Sequence, residues 1–306
     1  MSEPKARSRP IISITIGPKS DGDREDFQRA LSDLVQNDPT ATVTPAPVEG
    51  QAVIGGMSGL HLEAICDRIL SEYKIQISDA VPEVIYLEAI RRSAEAEGKY
   101  IRQTGGSGNY GHCWLRIEPN EPGSGYEFLN AIKSGSVPDK YIESIDQGAQ
   151  QAAVLGILAG CPLADVKVTL CDGSYHETDS NELAFKFAAS IAFKEAARKA
   201  SPVLLEPMMA VEVTVPEEVT GVIVSDINSR RGRVEGMQQV GDFKFIKAIV
   251  PLAEMLWSSR QGRVSYPMYF AGYEPVPPGG RPEDDIAGVP VQRPQSPKAG
   301  SGLTAA

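Results

Sequence analysis

Apolar and polar residues alternate at the start of the chain, and helical spacing follows. Residues 12–16 have the two-residue period of a strand with one buried face. Apolar residues then recur at helical spacing until Pro39 ends the helix. Two further strands, a second helix and a last strand at 74–78 complete the predicted order. Residues 10–81 are therefore predicted to form a βαββαβ unit, which is typical of a ferredoxin-like domain.

The last block, 204–275, repeats this order of elements. Alternation over 209–215 predicts a strand, and Pro216 followed by two acidic residues suits the first turn of a helix. Two strands come next, then a short helix near 251–260 and a closing strand at 264–270. We expect a second ferredoxin-like domain here.

A different pattern fills residues 82–203. Strands are predicted at 84–90 and in three later segments, followed by a helix after Pro138, a strand at 165–171 and a long helix at 182–199 capped by Asp179 or Ser180. The predicted fold class is α+β, with two ferredoxin-like domains flanking an elongated α/β domain. Residues 276–306 are rich in Pro and Gly and are predicted to be a disordered tail.

Two polar loops of the middle block are candidate contact sites. The segment 172–182 reads DGSYHETDSNE and holds His176, one of only three histidines in the chain. No aliphatic residue interrupts it, so it is predicted to be a rigid tip presented to a partner. The second loop, GGSGNYG at 105–111, has four glycines, which permit close backbone approach or simply form a hairpin turn.

Three interpretations of the tip compete. His176 and Asp179 could act as a general-base pair, with Ser174 or Tyr175 as the nearest nucleophile in the sequence. Alternatively, His176 and Tyr175 could stack on or bond to nucleic acid, or the loop could merely be solvated. We favour contact with nucleic acid.

Composition limits the possible partners. The formal net charge of -10 argues against a protein that coats nucleic acid without specificity. Arg230, Arg231 and Arg233 form a local basic cluster at a helix end, where they could complement the helix dipole or grip phosphate. His61 is predicted to be half-buried between domains, and His112 is predicted to be an ordinary strand residue.

Cofactor sites are not expected from the sequence. The four cysteines form no CxxC pair or metal-binding spacing, so buried, reduced thiols in a cytoplasmic protein are predicted, with no metal site. A P-loop is absent from the sequence, and no apolar run approaches membrane-spanning length. We therefore expect no catalytic residues, no bound cofactor and no membrane partner.

These segments together resemble bacterial elongation factor G. The stretches KVTLCDGSYHETDSNELAFKFAASIAFKEAARKASPVLLEP (167–207) and YIRQTGGSGNYGHC (100–113) resemble its fourth domain. GMSGLHLEAICDRI (56–69) is similar to its third domain. VPEEVTGVIVSDINSRRGRVEGM (215–237) and VPLAEM (250–255) are similar to its fifth. The resemblance covers about 10–275.

The resemblance implies a function and a set of site residues. Elongation factor G is a ribosome-dependent GTPase that moves tRNA and mRNA, and the tip of its fourth domain contacts the codon–anticodon duplex. The implied tip residues are Gly105, Gly106, Ser107, Gly108, Asn109, Tyr110, Ser174, Tyr175, His176 and Asp179. Contact with large-subunit RNA is implied for Ser229, Arg230, Arg231 and Arg233. His61 falls in a region between domains.

Three departures qualify this expectation. The GTPase domains are absent, so GTP would act only through that missing part, and a GTPase half on a separate chain is an expected partner. Ser107 and Asn109 stand where the family commonly has Arg and Gln, and the connection at 255–261 is short. We predict the ribosome-binding part of an elongation factor G-like protein acting in tRNA–mRNA translocation. The alternative is a ribosome-binding competitor or protection module without translocase activity.

Overall fold

Three sheets, each with its own helices, organise the chain. They lie in the residues that a computed structural model describes, which are 9–46, 48–78, 81–104, 107–132, 135–255 and 267–277. The α+β fold class is confirmed.

The first domain is a small antiparallel sheet with two helices. Its elements are β1 (Ile12–Ile16), α1 (Arg24–Asn37), β2 (Thr42–Pro45), β3 (Ala52–Gly56), α2 (Gly59–Tyr73) and β4 (Glu83–Val84). The strand order is β2-β3-β1-β4, which is the ferredoxin-like arrangement.

The strand predicted at 74–78 is wrong. Only an isolated bridge joins Ile77 to Pro18, and β4 takes the edge position beside β1. Pro18 has no N–H to donate, so pairing cannot continue as a regular ladder beyond β1.

The middle domain carries a longer sheet. Its elements are β5 (Leu87–Ile90), β6 (Ala94–Thr104), β7 (Ser107–Pro119), β8 (Tyr126–Asn130), α3 (Ile142–Leu155), β9 (Val166–Ser174) and α4 (Glu182–Lys199). The sheet order is β6-β7-β9-β8, and only β8 and β9 run parallel. The single strand predicted at 84–90 is wrong, because the chain divides there into β4 and β5, which join the sheets of the two flanking domains.

Helix α4 lies directly on the β6–β7 hairpin. A Cβ added to Gly98 of β6 would be 2.0 Å from the backbone oxygen of Ala188, so only glycine allows this approach. Ala188, Ala192 and Phe185 are completely buried in the core beneath the sheet. The packing fixes the start of α4 beside the far end of the hairpin.

The last domain repeats the topology of the first. Its elements are β10 (Pro202–Pro216), α5 (Thr220–Ser229), β11 (Arg233–Val240), β12 (Phe243–Pro251) and β13 (Met268–Pro275). The order is β11-β12-β10-β13, and β5 pairs with the start of β10. The closing strand was predicted at 264–270; it is described as Met268–Pro275, and 264–266 lie outside the described residues.

Some predictions fall outside the described residues. Residues 252–255 are helical, but the remainder of the helix predicted at 251–260 and most of the short connection at 255–261 are not described. The predicted tail is described only at Val276 and Pro277.

The first and last domains share a core. Met209, Leu252 and Ala253 of the last domain lie in the same buried cluster as Ile12 and Phe27 of the first. Burial of these apolar side chains stabilises the contact by about 25 cal/mol for each Å² removed from water. Together with the β5–β10 pairing, it connects all three domains.

Candidate nucleic-acid interface

Two chain segments build the predicted tip, the β6–β7 hairpin and the connection from β9 to α4. The last described pair of the hairpin joins Thr104 to Ser107, and Gly105 and Gly106 lie outside the described residues. Strand β9 extends to Ser174, so the first three residues of the predicted polar loop belong to the sheet. A bridge between Tyr110 and Ser180 joins the two segments.

Asp179 clamps the hairpin. The Tyr110 N–H donates to the Asp179 backbone oxygen at 2.8 Å, and the Gly108 N–H donates to the Asp179 carboxylate at 3.2 Å. A Cβ on Gly108 would lie 2.6 Å from Asp179 Cγ. The absence of a side chain at 108 therefore lets the carboxylate approach the backbone.

Asn181 connects the hairpin to α4. Its side-chain oxygen accepts a bond from the Ala184 N–H at 2.9 Å, and its amide nitrogen donates to Asn109 at 2.7 Å. The predicted caps Asp179 and Ser180 are wrong, because Asn181 is the N-cap. Ser180 instead accepts a bond from the His176 N–H at 2.9 Å.

Tyr175 and His176 are exposed at the end of this assembly. The His176 ring meets the Tyr110 ring with centroids 4.4 Å apart and an interplanar angle of 66°. Within the described part of the chain, the imidazole forms no hydrogen bond with Asp179, whose carboxylate bonds to Gly108. The general-base pair is therefore not assembled.

A second line of polar contacts lies just behind the tip. The Tyr110 hydroxyl is 2.8 Å from Ser174 Oγ, which is 2.6 Å from His112 Nδ1. His112 Nε2 is 2.9 Å from a Glu97 carboxylate oxygen. The sequence analysis missed His112 and Glu97. Alternation along β7, which puts positions 110 and 112 on one face, was the available signal.

The basic cluster of the last domain is largely paired inside the chain. Arg230 is 3% exposed and lies 2.8 Å from Asp226. Arg231 donates two bonds to buried Glu206, at 2.8 and 2.9 Å, and one to Glu254 at 2.7 Å.

Arg233 and Ser229 remain at the surface. Arg233 donates two bonds of 2.6 Å to Glu274, and these bonds lower the pKa of that carboxyl. The Ser229 hydroxyl donates to the Asp226 backbone oxygen at 2.8 Å. RNA contact by this segment stays a prediction. It now rests mainly on Arg233, because the Arg233–Glu274 pair is exposed, whereas Arg230 is buried and Arg231 is bonded to the buried Glu206.

His61 is bonded within the first domain. The Met57 N–H donates to His61 Nδ1 at 3.1 Å, which places the ring proton on Nε2, and Nε2 donates to Asp38 at 2.7 Å. Burial disfavours the charged form of Asp38, but hydrogen bonds from Thr40 and His61 outweigh it and lower the pKa of Asp38 to about 2. A contact of His61 between domains stays a prediction.

Neither of two cavities at the domain contacts is lined by Tyr175, His176 or Asp179. These cavities, of about 360 and 420 Å³, lie where the domains meet, and both include Arg9 and Leu87.

Across the described ranges, we find no group of three or more metal-ligating side chains and no helix long and apolar enough to span a membrane. Burial raises the pKa of the Cys113 thiol to about 12.

Three matches to known families follow the order of the domains. Residues 8–79 match "Elongation Factor G, domain III", residues 82–201 match "Elongation factor G, domain IV", and residues 203–281 match "Elongation factor G C-terminus". The chain belongs to the elongation factor G family. A crystal structure of a protein from Thermus thermophilus is 38% identical with a TM-score of 0.62, and the match covers 91% of this chain and 44% of that one. The chain thus spans less than half of that relative's length.

Proposed function

We propose that this chain is the ribosome-binding part of an elongation factor G-like translation factor and acts in tRNA–mRNA translocation. Its tip would enter the decoding region of the small subunit. The observation that carries the proposal is the tip geometry. Asp179 and Asn181 hold two segments together by hydrogen bonds, while Tyr175 and His176 remain exposed.

The exposed rings suit recognition of RNA by contact. An aromatic ring and an imidazole can stack on bases and bond to base edges or to 2′-hydroxyl groups. The clamp on the hairpin reduces the conformational entropy that the tip would lose on binding. With a net charge of -10, affinity would depend on this local surface rather than on overall attraction to phosphate.

The other two domains would support the tip. The last domain would face large-subunit RNA through Ser229 and Arg233. The shared core at Met209 and the β5–β10 pairing would transmit force between the tip domain and its neighbours. GTP would act only through a GTPase domain, which we propose as a partner of this chain; none of the residues described here is assigned a catalytic role.

Co-sedimentation with 70S ribosomes tests the proposal. We expect salt-sensitive binding at micromolar protein, and at least about fivefold weaker binding for His176→Ala, since stacking contacts contribute about 1–3 kcal/mol each. Gln151→Ala, an exposed change on the distal half of α3, is the matched control and should bind normally. Absence of salt-sensitive binding by the unaltered chain would contradict the proposal.

Toeprinting separates translocation from the alternative role. A translocation factor should advance the mRNA when a GTPase partner is supplied. A competitor or protection module should instead block full-length elongation factor G, or release a drug, without movement of the mRNA.

A further inference from the structure

Four polar side chains form a line across three strands of the middle sheet. It begins at Glu97 of β6, passes through His112 of β7 and Ser174 of β9, and returns to Tyr110 of β7. The three contacts measure 2.9, 2.6 and 2.8 Å in that order. The Tyr110 ring then meets the exposed His176 ring at 4.4 Å. We infer that this relay orients His176, so that Glu97, His112, Ser174 and Tyr110 are positioning residues of the tip.

The relay has a definite direction. The Glu97 carboxylate lies 2.9 Å from His112 Nε2, but Nε2 makes no hydrogen bond within the described residues, so this contact is electrostatic. We assign the ring proton to Nε2, because a carboxylate attracts an N–H and repels a nitrogen lone pair. His112 Nδ1 is then an acceptor, and the Ser174 hydroxyl donates to it. Ser174 in turn accepts a bond from the Tyr110 hydroxyl. These proton positions are assigned from the nearby carboxylate, since the heavy-atom distances fit either direction of each bond.

The far end of the relay is the side chain of Tyr110, a residue whose backbone is already fixed. The Tyr110 N–H bonds to Asp179, so the remaining freedom of the residue is rotation of its side chain. The bond to Ser174 removes that freedom by holding the hydroxyl. Because the Tyr110 ring presents its edge to His176 at 66°, its orientation determines which positions the imidazole can occupy.

A hydrolytic role does not fit the same residues. The order carboxylate, histidine, serine is that of hydrolase triads. Ser174, however, is partly buried and already bonded to Tyr110, and neither of the two cavities of more than 300 Å³ between the described domains includes Ser174 or His112. The geometry serves orientation rather than attack on a substrate.

Histidine ring signals in an NMR spectrum of the free protein test the relay directly. The chain has only three histidines, so the His176 signals are readily assigned. Tyr110→Phe removes one oxygen and keeps the ring, and Ser174→Ala removes the central hydroxyl. We expect both variants to shift the His176 signals in the same direction, while His61 is unchanged. Ser174→Thr, which keeps a hydroxyl and suits a strand, should restore the wild-type positions. His176 signals that stay at wild-type positions in both variants would overturn the inference.

A second measurement rests on the proposed function. Each single variant should bind 70S ribosomes about three- to tenfold more weakly, because the lost hydrogen bond no longer orients the ring, and its melting temperature should fall by only about 2–4 °C. The double variant should bind no more weakly than the weaker-binding single variant, because either change alone already interrupts the relay. Additive losses in the double variant would count against the relay. If the unaltered chain does not bind ribosomes, the proposed function fails, whereas the NMR result still decides the relay.

Discussion

The tip of the middle domain and residues 229–233 of the last domain, here called the arginine segment, use polar side chains in opposite ways. At the tip, Asp179 and Asn181 bond to the neighbouring segment and leave the rings of Tyr175 and His176 exposed. In the arginine segment, Arg231 is held by Glu206 and Glu254. Both segments looked like contact surfaces in the sequence. The tip presents its rings to solvent, whereas only Ser229 and Arg233 of the arginine segment remain exposed.

The two segments differ because their internal bonds leave different groups free to meet RNA. A hydrogen bond from the backbone to Asp179 fixes the tip without involving the groups proposed to meet RNA. An ion pair with a buried carboxylate neutralises the cation that would meet phosphate, and breaking it would leave a charge in a poorly solvated position. A basic cluster in a sequence therefore indicates RNA contact only where its cations are not paired with a buried carboxylate of the fold.

The largest effect should come from Arg231→Ala. It would leave Glu206, which is 2% exposed, without its bidentate partner. Removal of one member of a buried pair costs about 3–5 kcal/mol, so we expect a loss of about 3 kcal/mol in the free energy of unfolding, measured by urea denaturation. A loss below about 1 kcal/mol would mean that the pair behaves as a surface pair, and would restore Arg231 as a candidate for RNA contact.

His61 and Asp38 add a third predicted contact that is bonded internally. We expect Asp38→Asn to lower the free energy of unfolding by about 2 kcal/mol at pH 7, since the pKa of Asp38 falls to about 2 in the folded chain. Because the folded pKa is below the unfolded one, this stability is complete above about pH 4 and is lost as the pH falls toward about 2.

Denaturant titrations of both proteins between pH 7 and pH 3 check this dependence. The difference between wild type and Asp38→Asn should be constant down to about pH 4 and should shrink below it. A difference that is already small at pH 7 would leave His61 free for the contact between domains that the resemblance implies.

Periodicity was enough to predict the central strands β1 and β10 of the ferredoxin-like units, from the alternation at 12–16 and 209–215, but not the edge strand β4. It failed at 84–90 because one largely apolar segment, interrupted by Glu88, divides between two sheets, and only tertiary pairing determines that division. The exposed His176 followed from the polarity of its loop. The pairing of Arg231 with Glu206 did not, because the two residues meet only through the fold.

A smaller effect on stability is expected when the hydrogen bond between Asp179 and Gly108 is removed. Asp179→Ala removes the carboxylate bond to the Gly108 N–H, and should lower the free energy of unfolding by about 1 kcal/mol. Ribosome binding should fall more than stability does, because the hairpin loses its fixed position beside His176. Binding that is unchanged in this variant would show that the clamp is unnecessary and would remove the contrast with the arginine segment.

The smallest change in stability should come from Arg233→Ala, because both partners of the Arg233–Glu274 pair are exposed, at 53% and 40%. Surface pairs contribute about 0–1 kcal/mol. If Arg233 meets RNA phosphate, this variant should bind ribosomes severalfold more weakly and reduce the salt slope of binding by about one. Glu274→Gln is the matched control, since it frees the guanidinium and should strengthen binding. Weaker or unchanged binding by Glu274→Gln would mean that Arg233, like Arg231, has only a structural role. The arginine segment would then contact the ribosome only through Ser229.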